Sequence, residues 1–127
     1  MSSADALGQA ELTFPAGIVG LPALIRFTVR EVDGPVVELV SVEEPDFGLL
    51  AIAGEIVRPG LATLLVEREL AVAGEEILVV LSIHGDPPVV TANLAGPIVV
   101  ATDGTARQLV IEDPSLPVRA PVETMAG

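Results

Sequence analysis

The sequence predicts an all-β protein, a small antiparallel β-barrel or sandwich of about seven short strands. Half of its residues are apolar, and they are almost entirely Val, Leu, Ile and Ala, with only 2% aromatic residues. Such branched aliphatic side chains suit a pleated surface. Turn-forming Gly, Pro and Asp residues recur at short intervals between the apolar runs. Because the chain has 127 residues, we expect a single domain.

The turn signals divide the chain into the predicted strands. These signals are Asp33-Gly34-Pro35, Pro45-Asp46, Arg58-Pro59-Gly60, Gly85-Asp86-Pro87-Pro88 and Asp103-Gly104. Between them, β-branched runs predict strands at residues 12–14, 25–32, 36–42, 48–53, 77–83, 98–101 and 108–111. The domain is expected to span residues 11–120. Residues 1–10 and 121–127, which are small and polar, are expected to be flexible ends.

Local patterns support individual elements. In the second strand, Phe27, Val29 and Glu31 share one face, and the alternate residues form a wet face. The Asp103-Gly104 pair lies between two apolar runs, and it predicts a hairpin with a primed turn. The segment Gly17-Ile18-Val19-Gly20 predicts a tight turn between two strands, since a phosphate loop needs more glycines and usually a Lys.

Residues 59–76 allow two interpretations. Leu61, Leu64 and Leu65 follow helical spacing, although Leu65, Val66 and Leu70 also suit a strand. Pro59 before the segment and Gly74 after it favour one short helix within residues 59–72.

Composition excludes several classes of protein. Charges or prolines interrupt every apolar stretch, so no membrane span is expected. The first ten residues lack the features of a signal peptide, and we therefore expect a cytoplasmic protein. The chain has no Cys, which excludes disulfides and thiolate metal sites.

Charge indicates the kind of partner. Eighteen acidic residues against six Arg and no Lys give a net charge of −12. A protein this acidic repels phosphate backbones, so we expect no direct binding of nucleic acid. A basic partner fits the charge, and solubility is the alternative explanation.

No constellation for catalysis is evident. His84 is the only histidine, and it has no recognisable serine nucleophile beside it. The acidic pairs Glu43-Glu44, Glu75-Glu76 and Glu112-Asp113 would point to opposite faces of a strand, and their spacing does not predict a metal site. We therefore predict a binding or regulatory protein that is not an enzyme and uses no cofactor or metal.

Three segments resemble the FliW family in order and spacing. They are residues 14–21 (FPAGIVGL), 91–99 (TANLAGPIV) and 107–111 (RQLVI). The second resembles the family motif Thr-Val-Asn-Leu-x-Ala-Pro-Ile, with Ala92 in place of Val and Gly96 in place of Ala. The chain differs from the family at Val19, which replaces a turn Pro, at Leu116, which replaces an aromatic residue, and in residues 53–76, which are shorter than usual.

The resemblance implies a flagellar assembly factor with two protein partners, flagellin and the RNA-binding translational regulator CsrA. It implies that the protein antagonises CsrA and so relieves repression of flagellin translation. A flagellin chaperone without translational regulation is the alternative, and a small hydrolase using Glu43 or Glu44 ranks third. The predicted partner-binding residues are Glu43, Glu44, Asp46, Asn93 and Leu94. We expect a monomer when no partner is bound.

Overall fold

A computed structural model describes residues 11–122 of the chain. Its strands are β1 (Glu11–Thr13), β2 (Arg26–Asp33), β3 (Val36–Ser41), β4 (Gly48–Ala53), β5 (Glu76–His84), β6 (Val89–Ala92), β7 (Ile98–Val100), β8 (Ala106–Gln108) and β9 (Ala120–Pro121). Two short helices, α1 (Gly54–Val57) and α2 (Leu61–Glu67), lie between β4 and β5. Neither helix is long and apolar enough to cross a membrane, and this holds for every helix within residues 11–122.

The strands form a nearly closed antiparallel barrel. β1 to β5 pair in chain order, the first half of β5 pairs with β7, and β7 pairs with β8. β1 and the β7–β8 hairpin meet through one isolated parallel bridge, between Thr13 and Thr105, and the Thr13 N–H donates to the Gly104 carbonyl at 3.0 Å. The predicted all-β barrel is therefore confirmed.

β6 and β7 lie along the same side of β5, opposite β4. Leu81 of β5 pairs with Ala92 of β6, whereas Leu78 pairs with Ile98 of β7. The ladder continues through Asn93, whose N–H donates to the Val80 carbonyl at 2.9 Å. Residues 94–97 then leave the ladder as a bulge. This bulge separates β7 in the barrel sheet from the small sheet formed by the second half of β5, β6 and β9.

The sheet is buried on both faces near β4 and β5. The barrel interior holds Phe14 and Phe27, whose rings meet edge to face with centroids 5.3 Å apart. The other face packs against Leu61 and Leu65 of α2. Neighbouring residues of β5 divide between the two cores, because successive side chains point to opposite faces. Double burial explains why residues 77–81 form a continuous apolar run.

Most of the predicted elements are present, with some corrections. The predicted helix corresponds to α2, whereas the sequence does not predict α1, β6 or β9. Residues 109–111 are not a strand, although the N–H groups of Leu109 and Ile111 donate to the carbonyls of Pro97 and Ala95, each at 2.8 Å. These two bonds follow the bulge, whose irregular backbone prevents a regular ladder.

The predicted hairpin of β7 and β8 is confirmed, but its turn is of a different type. Gly104 has a φ of 87°, while Asp103 has no positive φ. The Ala101 carbonyl accepts from the Gly104 N–H, and the Ala101 N–H donates to the Thr105 carbonyl. This pattern indicates a three-residue loop with a glycine bulge and not a two-residue primed turn.

The ordered domain extends past its predicted end at residue 120. Pro121 lies in β9, and Val122 is buried with its N–H donating to the Val90 carbonyl at 3.1 Å. The predicted flexible tail at 121–127 is thus wrong for Pro121 and Val122. The predictions for residues 1–10 and 123–127 lie outside the described residues.

Candidate functional site

The loop between β1 and β2 has the tight turn that its glycines predict. Gly17 and Gly20 have φ values of 71° and 83°, and a bridge joins Ile18 to Leu21. A Cβ on Gly17 would lie 2.4 Å from the Pro22 Cα, so the loop has room only for glycine there. The turn exposes Val19 (57%) and Leu21 (40%). It therefore presents apolar side chains on a fixed backbone.

The bulge between β6 and β7 is held by Asn93. Its Oδ1 accepts hydrogen bonds from the N–H groups of Ala95 and Gly96, both at 3.0 Å. A Cβ on Gly96 would lie 2.8 Å from Asn93 Nδ2, which explains a small residue at that position. The Asn93 side chain therefore satisfies two backbone donors of the bulge, as Asn often does in turns.

Gln108 in β8 joins these two loops. Its Oε1 accepts from the Val19 N–H at 3.0 Å, and its Nε2 donates to the Gly96 carbonyl at 3.1 Å. The three segments that carry the family resemblance therefore meet around one amide side chain. The sequence alone marks Gln108 only as a matching residue, because nothing in its local pattern indicates which loops it contacts.

Glu43 fixes the start of β2 from the turn after β3. Its carboxylate accepts from the Arg26 N–H at 3.1 Å and the Ile25 N–H at 3.3 Å, and it lies 3.7 Å from Arg26 Nε. The Arg26 backbone N–H is the main cause that lowers the pKa of Glu43 below its usual value. The carboxylate is engaged in this anchor, which does not favour a role as a catalytic acid.

A groove of about 310 Å³ lies between the β1–β2 loop and the β3–β4 turn. Its apolar wall comes from residues 21–24, and Glu43 and Glu44 form its acidic edge. Glu44 is exposed, and its N–H donates to Ser41 Oγ at 2.9 Å. Asp46 is exposed in the same turn. The groove, here called the acidic groove, combines apolar contact area with negative charge.

The structure brings together three of the five predicted partner-binding residues, Glu43, Glu44 and Asp46. Asn93 belongs to the bulge, which Gln108 ties to the β1–β2 loop. Leu94 is 4% exposed and packs in the core below the sheet, so its side chain serves packing. The sequence does not predict the apolar wall at residues 21–24, because single apolar residues beside a Pro do not indicate a groove.

Most positive charges are already paired. Four of the six arginines form ion pairs, namely Arg26 with Glu43, Arg30 with Glu38, Arg68 with Asp113 and Arg107 with Glu75. The acidic excess is therefore carried by side chains such as Glu44 and Asp46, which make no ion pair within residues 11–122.

The remaining chemistry-bearing groups do not converge. His84 ends β5, and its Nε2 is buried without a hydrogen-bond partner in the described part of the chain. Within residues 11–122, no group of three or more His, Asp or Glu side chains is placed to hold a metal ion.

Comparison with known proteins gives consistent matches. A family model described as FliW protein matches residues 3–122. A flagellar assembly factor FliW from Symbiobacterium thermophilum is 31% identical over 119 residues, covering 86% of each chain. Another from Bdellovibrio bacteriovorus is 30% identical over 139 residues, covering 96% of this chain and 78% of that protein.

A solved structure supports the fold. The crystal structure of a flagellar assembly factor FliW superposes with a TM-score of 0.73 at 20% sequence identity, covering 88% of this chain and 84% of the other. At this identity the similarity is evidence for the fold alone.

Proposed function

The chain belongs to the FliW family of flagellar assembly factors, and we propose that it binds flagellin and the translational regulator CsrA in the cytoplasm. In this proposal, binding to CsrA relieves repression of flagellin translation, and flagellin competes for the factor. The protein acts by binding alone and needs no cofactor or metal.

The observation that carries the proposal is the acidic groove. Its wall at residues 21–24 supplies apolar area, and Glu44 and Asp46 add negative charge that no arginine of residues 11–122 pairs with. An RNA-binding regulator needs a basic surface, which such a groove attracts. Once docked, a chain of charge −12 repels RNA phosphates over a Debye length, about 8 Å at physiological salt. Antagonism of RNA binding therefore needs no catalysis.

The apolar wall of the same groove also fits a second candidate function. A chaperone that covers apolar segments of flagellin uses a groove of this kind and requires no contact with CsrA. Both functions use the same fold, so binding measurements must separate them.

Calorimetric titration with CsrA from the same organism, at low and high salt and with flagellin as competitor, tests the proposal. We expect binding that weakens as salt rises and is displaced by flagellin. The double variant Glu44→Gln/Asp46→Asn should bind CsrA about tenfold more weakly, since two charges at an interface are lost.

The matched control is Glu31→Gln/Asp86→Asn, which removes two exposed acidic charges away from the acidic groove. It should bind CsrA as the wild type does. If the protein binds flagellin but not CsrA, the regulatory function is excluded and the chaperone function is supported. Equal weakening in both double variants would show that net charge, and not the acidic groove, drives binding.

A further inference from the structure

A second groove, here called the α2 groove, lies between α2 and the segment that leads into β5. It has a volume of about 290 Å³, and apolar residues including Ala62, Val66, Val72 and Ile77 line it. Val72 is 67% exposed. The α2 groove shares no lining residue with the acidic groove. An exposed apolar surface with walls of this kind is a typical protein interaction site.

The wall that carries Val72 is fixed in place. The Val72 N–H donates to Glu75 Oε1 at 2.7 Å, and the Glu75 N–H donates to the Val72 carbonyl at 3.1 Å. Arg107 of β8 donates to the Leu70 carbonyl at 2.8 Å and lies 3.4 Å from Glu75 Oε2. The exposed valine is therefore presented on a preorganised loop, which reduces the entropic cost of binding.

Several backbone N–H groups of this wall are already engaged, which leaves fewer of them to pair with an added strand. The N–H groups of Leu70 and Ala71 donate to the Leu65 carbonyl at 2.8 and 3.3 Å, and those of Val72 and Glu75 are used as described above. An extended peptide would lose hydrogen bonds to water here and replace only some of them. A helix satisfies its own backbone, so it is the occupant that suits this groove.

The charge around the α2 groove is negative. Glu67 is exposed in its lining and makes no ion pair within residues 11–122. The nearby cations are already engaged, since Arg68 pairs with Asp113 and Arg107 pairs with Glu75. A partner with Lys or Arg beside its apolar face is complementary to this edge.

We propose that the α2 groove binds an amphipathic helix of a partner protein. Aliphatic side chains of the helix lie between Val66 and Val72, and a basic side chain lies beside Glu67. This inference rests on the proposed function and extends it, because it gives the protein a second interface separate from the acidic groove.

A synthetic helical peptide with a Leu stripe and Lys on its other positions is the probe. Its affinity for the full chain is measured by fluorescence anisotropy, against a peptide with Glu in place of Lys. Val72→Asp should lower the affinity for the Leu/Lys peptide at least tenfold. If binding were purely electrostatic, the added negative charge would instead raise this affinity. Val110→Asp is the matched control, because Val110 is 72% exposed and lies outside the α2 groove.

Backbone amide NMR spectra of the same samples locate the peptide and verify that each variant is folded. We expect the largest shift changes at residues 62–67 and 71–75. Any of three results would overturn the inference. The wild type and Val72→Asp could bind the Leu/Lys peptide with equal affinity, or the wild type could bind the Leu/Glu peptide as tightly as the Leu/Lys peptide. The third result is that the shift changes are confined to residues 20–24.

The CsrA titration is run on the same variants. If Val72→Asp still binds CsrA but no longer binds the peptide, the result supports two separate interfaces. If CsrA binds the wild type but the peptide does not, the inference fails and the proposed function stands. If CsrA fails to bind the wild type, the proposed function fails. The proposal that the α2 groove is a second interface beside a CsrA-binding groove then fails as well.

Discussion

Single polar side chains hold the loops of this protein in their positions. Glu43 anchors the start of β2, Asn93 closes the bulge, and Glu55 accepts from the N–H groups of Gly60 and Ala62 at the start of α2. Each satisfies backbone donors that regular structure leaves free. The loop positions also depend on backbone geometry. Gly17 is the clearest case, because it has a positive φ and lies close to Pro22.

Gly17→Ala should destabilise the protein by about 1–3 kcal/mol or more. Alanine is strained at the positive φ of this position, and its Cβ would also collide with Pro22. Gly20→Ala is the matched control. Gly20 also has a positive φ, but a Cβ there meets nothing within 4 Å, so only the backbone cost of about 1 kcal/mol is expected. Urea unfolding of the two variants measures the difference. Equal losses would contradict the close contact at Pro22.

At the scale of elements, β8 connects the two grooves. Gln108 and Arg107 are neighbours in this strand, and their side chains point to opposite faces. Gln108 reaches the loop that walls the acidic groove, and Arg107 reaches the loop that walls the α2 groove. A strand of three residues thus fixes walls of both candidate interfaces.

Gln108→Ala should release the β1–β2 loop from the bulge. Two hydrogen bonds are lost, each with a net value of about 1 kcal/mol, so amide exchange at Val19 should become at least tenfold faster. Hydrogen-exchange NMR measures the rate. The Thr13 amide, which donates to the Gly104 carbonyl, serves as the internal reference and should keep its rate. Unchanged exchange at Val19 would show that Gln108 does not hold the loop.

At the scale of the whole molecule, negative charge exceeds positive charge, yet several carboxylates stabilise the fold. Hydrogen bonds from backbone N–H groups are the first cause that lowers the pKa of five of them, Glu43, Glu55, Glu75, Asp103 and Asp113. A lowered pKa means that the folded state favours the ionised form. The stability contributed by these groups is present above their unfolded pKa and is lost as the pH falls through the folded pKa.

Asp113 gives the sharpest test of this pH dependence. Donation from Ser115, followed by Arg68, lowers the pKa of Asp113 from 3.8 to about 2. Asp113→Asn should therefore unfold at lower urea than the wild type at pH 7, and the difference should shrink as the pH falls from about 4 to about 2. Asp86→Asn, in the exposed turn after β5, is the control and should match the wild type at each pH. A difference that stays constant with pH would contradict the role of ionised Asp113.

The sequence by itself determined the all-β class, most strand positions, the α2 helix and the family, because these follow from local periodicity, turn residues and short motifs. Only the tertiary structure decided which loops meet. Gln108 contacts residues 12 and 89 positions away in the chain, and Leu94 is buried by elements that its neighbours in sequence do not reveal. Both grooves depend on packing in the same way. Pairing of β2 with β3 brings residues 21–24 beside Glu43 and Glu44, and packing of α2 places its residues beside the segment that leads into β5.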